Sequence, residues 1–365
     1  MRVVLAGGGT TGHISPMLAT AEALGRLDQQ AELTCVGTPI GLETDLVPRA
    51  GYTLKLVDPV PLSRRLSPSL VTLPWRVERS VRQAVRILRQ CRAEAVVGFG
   101  GYASLPVFLA ARRLKVPVVV HEANAVPGLA NRIAARFAAR ICVTFAVTGL
   151  PGQVVTGMPV REAVAGLDRA AARPSARAEF GLPQQGKVLL VSGGSQGALS
   201  LNRAAEQAIA ALDLAGVSVL HITGKTNFDQ SDPPTMSRAT YVRAPYVDHM
   251  EVAYAAADVM VARSGAGTVA ETAMVGLPAI FVPLPHGNGE QAKNATGVVA
   301  AGAGLLVADA DLTGARLAEE VIALCADEAR LARMGAAAQD LMPRDAADQV
   351  ASAVLELGQG KAGAT

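Results

Sequence analysis

The chain opens on an apolar run, Arg2-Val3-Val4-Leu5-Ala6, then breaks into Gly7-Gly8-Gly9-Thr10-Thr11-Gly12-His13 and continues as a helical pattern through Leu24. It starts again in the same way at Lys187-Val188-Leu189-Leu190-Val191, with Ser192-Gly193-Gly194-Ser195-Gln196-Gly197 and a helix over about Leu201–Leu212. An apolar strand, a glycine turn and a helix form the opening unit of a doubly wound parallel sheet. Short β-branched runs predict further strands at Glu32–Val36, Ala95–Gly98, Val116–His121 and Ala139–Thr144. In the second half they fall at Val217–Thr223, Tyr241–Ala244, Asp258–Ala262, Ala279–Pro283 and Gly304–Val307. Helical stretches lie between nearly all of them. The pattern predicts an α/β chain of two Rossmann-like domains, residues 1–160 and 161–344, joined near Thr156–Ala165. Within the tail 345–365, a helix over Asp345–Leu357 gathers Ala346, Val350, Ala351, Val354 and Leu355 on one face. Its place after the last strand permits it to pack back on the first domain. Arg173–Ser175 and Gln230–Thr235 read as exposed loops, and no period of 20–50 residues suggests a solenoid.

Composition raises one objection to this picture. Half of the 365 residues are hydrophobic, only 18% are charged, and mean hydropathy is +0.29. Charge-free runs such as Ile141–Val160 approach the length of a membrane span. That run contains Gly149, Pro151, Gly152, Gly157 and Pro159, so it reads as strand, loop and helix start. The first residues are too short an apolar core for a signal peptide. Cys35, Cys91, Cys142 and Cys325 have no metal-type spacing and read as reduced, buried thiols. Lys and Arg total 34 against 31 Asp and Glu, which excludes a polybasic nucleic-acid binder. The expectation is a cytoplasmic protein without a membrane span.

The glycine loops carry the candidate chemistry. Gly7-x-Gly9-x-x-Gly12 matches the dinucleotide fingerprint, but the second strand ends Cys35-Val36-Gly37-Thr38 without the acid that holds a ribose diol. This opposes an NAD-dependent oxidoreductase. Glycine still lets backbone approach a ligand, and helix N-termini offer free N–H groups to phosphate. Gly98-Phe99-Gly100-Gly101-Tyr102-Ala103-Ser104 and Arg263-Ser264-Gly265-Ala266-Gly267-Thr268-Val269-Ala270-Glu271 have the same character. Glu271 is placed either to accept two ribose hydroxyls or to complement the helix dipole. Four such loops imply a phosphate-rich ligand, or two. The polar loop Pro283–Gln291, followed by Asn294, suits sugar hydroxyls or is a solvated turn. No HExxH, paired-Cys or Asp-x-Asp element supports a metal, and no GxSxG supports acyl transfer.

Taken in order, these motifs resemble the UDP-GlcNAc:lipid I N-acetylglucosaminyltransferase family of peptidoglycan synthesis, a GT-B family. The resemblance covers Gly8–His13 with Pro16, Gly98–Ser104, His121-Glu122-Ala123-Asn124, Gly157–Arg161 and Gly193–Gly197. It continues through Tyr246–Met250, Arg263–Glu271, and His286 with Gln291 and Asn294. Thr11 and Ala123 depart from the family's usual Gly and Gln. The resemblance implies two domains facing a cleft and inverting transfer of GlcNAc to the MurNAc 4-hydroxyl of an undecaprenyl-diphosphate acceptor, with no cofactor or metal. It places Arg161, Ser195, Val247, Ala266, Gly267, Thr268, Val269, Ala270, Glu271 and Gln291 at the donor, completed by Thr10, Thr11, Gly12 and Asn124. Gly100, Gly101 and Tyr102 would meet the acceptor, and His13 or Glu122 would be the base. A different GT-B transferase for a secondary metabolite or lipid, or a non-catalytic sugar-nucleotide binder, remains open on motifs alone.

One further pattern bears on location. Arg76, Arg79, Arg82, Arg86, Arg89 and Arg92 recur at spacings of 3, 3, 4, 3 and 3 within Pro74–Glu94, opposite Val77, Val81, Ala84, Val85 and Leu88. Arg64, Arg65, Leu66, Leu70, Leu73 and Trp75 lie upstream. An ordinary charged surface helix fits the spacing. A lipid-linked acceptor makes docking on an anionic membrane surface, at its cytoplasmic face, the alternative. Other cell-wall synthesis proteins would be its neighbours there.

Overall fold

The computed structural model describes residues 1–60, 73–228, 234–286 and 288–362. Its first sheet comprises β1 Arg2–Ala6, β2 Glu32–Gly37, β3 Thr53–Leu56, β4 Ala95–Gly98, β5 Val118–Glu122, β6 Arg140–Val143 and β7 Gln153–Val155. The second comprises β8 Lys187–Ser192, β9 Val217–Ile222, β10 Tyr241–Ala244, β11 Val259–Ala262, β12 Ala279–Phe281 and β13 Gly304–Leu306. The orders are β3-β2-β1-β4-β5-β6-β7 and β10-β9-β8-β11-β12-β13. Every strand pairing is parallel. Sheets of this kind are covered on both faces, which is why the central strands are apolar throughout rather than alternating. The chain thus carries two parallel α/β sheets, as the sequence pattern predicts.

The chain divides into two compact units, Met1–Arg161 with Arg344–Thr365, and Glu162–Pro343. In the first, Val3, Leu5, Ile14, Met17 and Leu24 pack with Val350, Ala351 and Val354, so helix Ala346–Ala362 lies against helix Thr11–Leu27. In the second, Leu189, Val191, Leu201, Val219, Val259 and Val321 form the corresponding core.

Register fixes where the glycine loops fall. Ala6 pairs with Val36 on one side and Gly98 on the other, so the loops after β1 and β4 leave the sheet side by side. Likewise Ser192 pairs with Ile222 and Ala262, bringing together the loops after β8 and β11. In both sheets the chain reverses its direction of strand addition at this pair. Such a switch point, at the carboxyl ends of the strands, is where doubly wound sheets bind ligands.

Three sequence expectations are corrected. β3 and β7 were not expected, because they are edge strands whose residues are largely exposed and lack a central strand's apolar run. Arg173–Ser175 is not a loop: it lies inside helix Arg169–Glu179, whose start Asp168 caps by accepting from the Ala170 and Ala171 amides. Pro174 lies inside this helix, which is held to its surroundings by Arg169, donating to the Tyr254, Ala257 and Gly276 carbonyls. The arginine-rich segment forms helix Leu73–Gln90, with Val81, Ala84 and Leu88 buried. Arg92 falls beyond it at φ 48°, off the helical face. Arg64, Arg65, Leu66 and Leu70 lie outside the described residues, as does most of Gln230–Thr235. Among the described residues no helix is long and apolar enough to cross a membrane.

Candidate active site

On the first unit, the helix after the opening loop starts at Thr11 with Thr10 as its N-cap. Thr10 does not cap with its side chain; its Oγ1 lies 3.3 Å from Nδ1 of His13. The amides of Thr11 and Gly12, in the first turn, have no helical carbonyl to bond and suit a phosphate or sugar oxygen. Gly100 and Gly101 adopt φ of 93° and 82°, and a Cβ on Gly101 would overlap the Gly8 carbonyl. The two loops thus pack backbone against backbone. A Cβ on Gly100 would stand 3.1 Å from Nε2 of His13, so the ring borders this loop directly. Burial lowers the His13 pKa, opposed by the Gly8 backbone and the negative charge of Glu43. The imidazole is therefore neutral at pH 7 and able to accept a proton. Tyr102 stands half exposed beside it.

Glu122, at the end of β5, is buried, and its oxygens accept from the Asn124 and Gly128 amides and from Nδ2 of Asn131, each at 2.9 Å. Burial pushes its pKa up, against those bonds. The carboxylate fixes the turn that carries Asn124. Asn131 Nδ2 also donates to the His121 carbonyl at 3.1 Å and lies near Gly100, so Asn131, which holds Glu122, and the His13 ring both flank Gly100. His121 itself is fully buried, its pKa pushed down to about 4, with Nε2 3.1 Å from the Gly157 carbonyl. Arg161 is exposed and ends this unit.

On the second unit, Ser195 lies in the turn closed by the Gly197 amide on the Gly194 carbonyl at 2.9 Å. Helix Ala266–Met274 follows β11, and the amides of Ala266, Gly267 and Thr268 belong to its unpaired first turn. Val269 and Ala270 face the core instead, and the Val269 amide is bonded to the Gly265 carbonyl. Any anion at this helix meets Ala266–Thr268. Glu271 is half-buried and accepts from the Tyr254 hydroxyl at 2.6 Å, which orients its carboxylate. Gln291 Oε1 accepts from the Leu284 amide at 2.9 Å, so its NH2 is the end turned to donate. Asn294 donates to the Ser264 carbonyl at 3.3 Å, and Val247 is half-buried in the loop after β10. Arg263 is occupied structurally, by Asp309 at 2.6 Å, Ser200, and the Val282 and Pro283 carbonyls. Gly287 of the polar loop lies outside the described residues.

Sequence reasoning missed Tyr254, Asn131 and Glu43. A buried tyrosine needs a partner for its hydroxyl, which was the available signal for Tyr254. Among the described residues no group of three or more His, Cys, Asp or Glu is placed to hold a metal ion.

Comparison with known proteins bears on the family and the fold. Residues 3–143 match the Glycosyltransferase family 28 N-terminal domain and residues 188–350 its C-terminal domain. A Nocardioides protein named UDP-N-acetylglucosamine–N-acetylmuramyl-(pentapeptide) pyrophosphoryl-undecaprenol N-acetylglucosamine transferase is 53% identical, over 99% of each chain. The crystal structure of Acinetobacter baumannii MurG superposes with a TM-score of 0.76 at 26% identity, covering 97% of this chain and 99% of that one. The calicheamicin glycosyltransferase CalG4, at 20% identity, covers 97% and 98% with a TM-score of 0.68 and shares the fold. Both halves of the family model and a full-length relative above half identity lead to one conclusion: the chain belongs to glycosyltransferase family 28, among its MurG-type N-acetylglucosamine transferases.

Proposed function

We infer that the chain transfers GlcNAc from UDP-GlcNAc to the MurNAc 4-hydroxyl of lipid I, forming lipid II for peptidoglycan. The observation that carries the division of labour is the placement of four glycine loops at two switch points, one pair in each unit. The second unit's loops hold the donor: Glu271 takes the ribose hydroxyls, Ala266–Thr268 and Ser195 the diphosphate, Val247 the uracil and Gln291 a GlcNAc oxygen. Thr10–Gly12, Asn124 and Arg161 complete the donor site, and Gly100–Tyr102 meet the acceptor diphosphate.

Chemistry then needs one proton acceptor. As the acceptor oxygen attacks the anomeric carbon, the bond to UDP breaks and its electron pair leaves on the β-phosphate. His13 takes the hydroxyl proton, while Glu122, already holding three donors, organises the turn beside it. Arg161 and the helix amides stabilise the departing charge. Release of UDP in the presence of a short-chain lipid I analogue tests the activity. Turnover on a secondary-metabolite aglycone instead would assign a different acceptor.

Glu271→Gln should raise the UDP-GlcNAc KM by about 10–100-fold, the worth of charged hydrogen bonds to a diol, with a smaller effect on kcat. Tyr254→Phe should move KM the same way by less, because it frees the carboxylate without discharging it. Unchanged donor KM in both variants would remove Glu271 from the ribose.

Helix Leu73–Gln90 is the proposed membrane contact. Arg79, Arg82, Arg86 and Arg89 are exposed, Arg76 is half-buried, and Trp75 is 66% exposed with Arg79 over its ring. A depression of about 720 Å³ opens beside it, lined by the apolar Leu73, Pro74, Val77, Val81 and Leu109 and by the charged Glu78, Arg112 and Arg113. Arg79 pairs with Asp58 and Arg82 with Glu78, so the arginines are partly compensated. Arg82 and Arg113 hold the Glu78 carboxyl down to about 2. At ~1 kcal/mol per basic residue, the triple variant Arg79→Glu, Arg82→Glu, Arg86→Glu should weaken binding to anionic vesicles at least about 100-fold. Equal binding by wild type and variant would leave this an ordinary surface helix.

A further inference from the structure

Glu43 is fully buried, starting helix Glu43–Arg49 just beyond the end of β2. Its oxygens accept from the Gly9 amide at 2.8 Å, the Thr38 amide at 2.7 Å and the Thr38 hydroxyl at 2.8 Å. These donors are neutral. A buried carboxylate held by dipoles alone carries a desolvation cost that an apolar or amide side chain would not. The surroundings are nonetheless shaped for it. Gly8, Gly37 and Gly41 come from the His13 loop, the end of β2 and the approach to the helix. A Cβ on any of them would overlap the Glu43 side chain, and at each the nearest neighbouring atoms are those of Glu43. None of the three has positive φ, so room for this carboxylate, rather than backbone strain, is what glycine supplies there.

We propose that Glu43 is a positioning residue for the transfer reaction: its carboxylate holds the Gly9 amide, and through it the loop that presents His13. Gly9 has φ 90° and open space beside its Cα, so the hydrogen bond to Glu43 adds a tie at the middle of the turn to those made by the Gly7 amide on the Val36 carbonyl and by Gly8 against Gly101. The same charge acts on the imidazole, favouring its protonated form. Facing the ring are Thr10 on its own turn and the Gly8 and Gly100 backbones, and Asn131, whose amide holds Glu122, lies against Gly100. Glu43 thus fixes where the base stands and helps set when it gains its proton.

This inference rests on His13 being the base, and the two can fail separately. In the full-length enzyme, Glu43→Gln keeps the shape but turns an NH2 toward one of the donors and removes the charge. The expected result is a kcat at least about tenfold lower, as a displaced catalytic group costs. The UDP-GlcNAc KM should rise by a smaller factor than kcat falls, because Thr10–Gly12 on this loop only complete a donor site held chiefly by the second unit. The acid limb of the pH profile should move to lower pH, since loss of a neighbouring negative charge lets His13 shed its proton earlier. A folded variant whose acid limb stays in place overturns the inference. If Glu43→Gln does not fold, Glu43→Asp decides, because it keeps the charge and shortens the reach. Lower kcat with an unmoved limb supports positioning, and wild-type kcat overturns it. Wild-type single-turnover rates in His13→Ala would overturn the base reading instead.

Discussion

His13→Ala should lower the single-turnover rate by about a thousandfold, within the span that a positioned general base contributes. Donor affinity should be unchanged, because the proposed contacts to UDP come chiefly from Ser195, Val247, Ala266–Thr268 and Glu271. The pH dependence gives an independent check. Burial holds the His13 pKa below its ordinary 6.5. A base must be neutral to work, so the wild-type rate should rise through an acid limb below pH 6.5 and then level off. That limb should vanish from the residual activity of the variant. A mutant with wild-type single-turnover rates would transfer the role to another group, of which Glu122 is the nearest candidate.

The second large effect concerns stability. Asp258→Ala should destabilise the second unit by about 3–5 kcal/mol, the cost of leaving a buried charge without its partner. Arg177 is 1% exposed and donates to the Ala256, Pro183, Gln184 and Gly186 carbonyls and to Asp258 Oδ2 at 2.8 Å. Desolvation lowers its pKa, while the Asp258 charge opposes that fall. Asp258 also accepts from the Val188 amide and from Arg173, both at 2.8 Å, so it joins the start of β8 to helix Arg169–Glu179. The midpoint of thermal unfolding of that unit should drop by about 10 °C or more. Arg173→Ala, which removes the more exposed partner, should cost far less. A melting curve for Asp258→Ala that overlays wild type would show the pair to be dispensable.

The central strands were legible because parallel strands buried on both faces leave unbroken apolar runs, and each switch-point strand leads into a glycine-containing loop. The loops of His13, Gly100, Ser195 and Ala266 follow from that pattern. β3 and β7 were not legible, since an edge strand is specified by the neighbour it pairs with rather than by its own composition. Glu43 was hidden for a related reason: its cradle needs Gly8, Gly37 and Gly41 together, and only folding brings them there. Along the phosphate-side run the helix turns inward after its first turn. Hence Val269 and Ala270 are core residues while Ala266–Thr268 keep their amides. Arg173–Ser175 reads as loop because the anchors of its helix, the Tyr254, Ala257 and Gly276 carbonyls, lie far off in sequence.

Helix Ala346–Ala362 has a consequence for the order in which the protein is made. Val350, Ala351 and Val354 complete the core around β1, which leaves the ribosome ahead of the whole second unit. The opening unit therefore stays unfinished, with an apolar groove open, until the whole second unit and the tail have been synthesised. The half that begins first closes last.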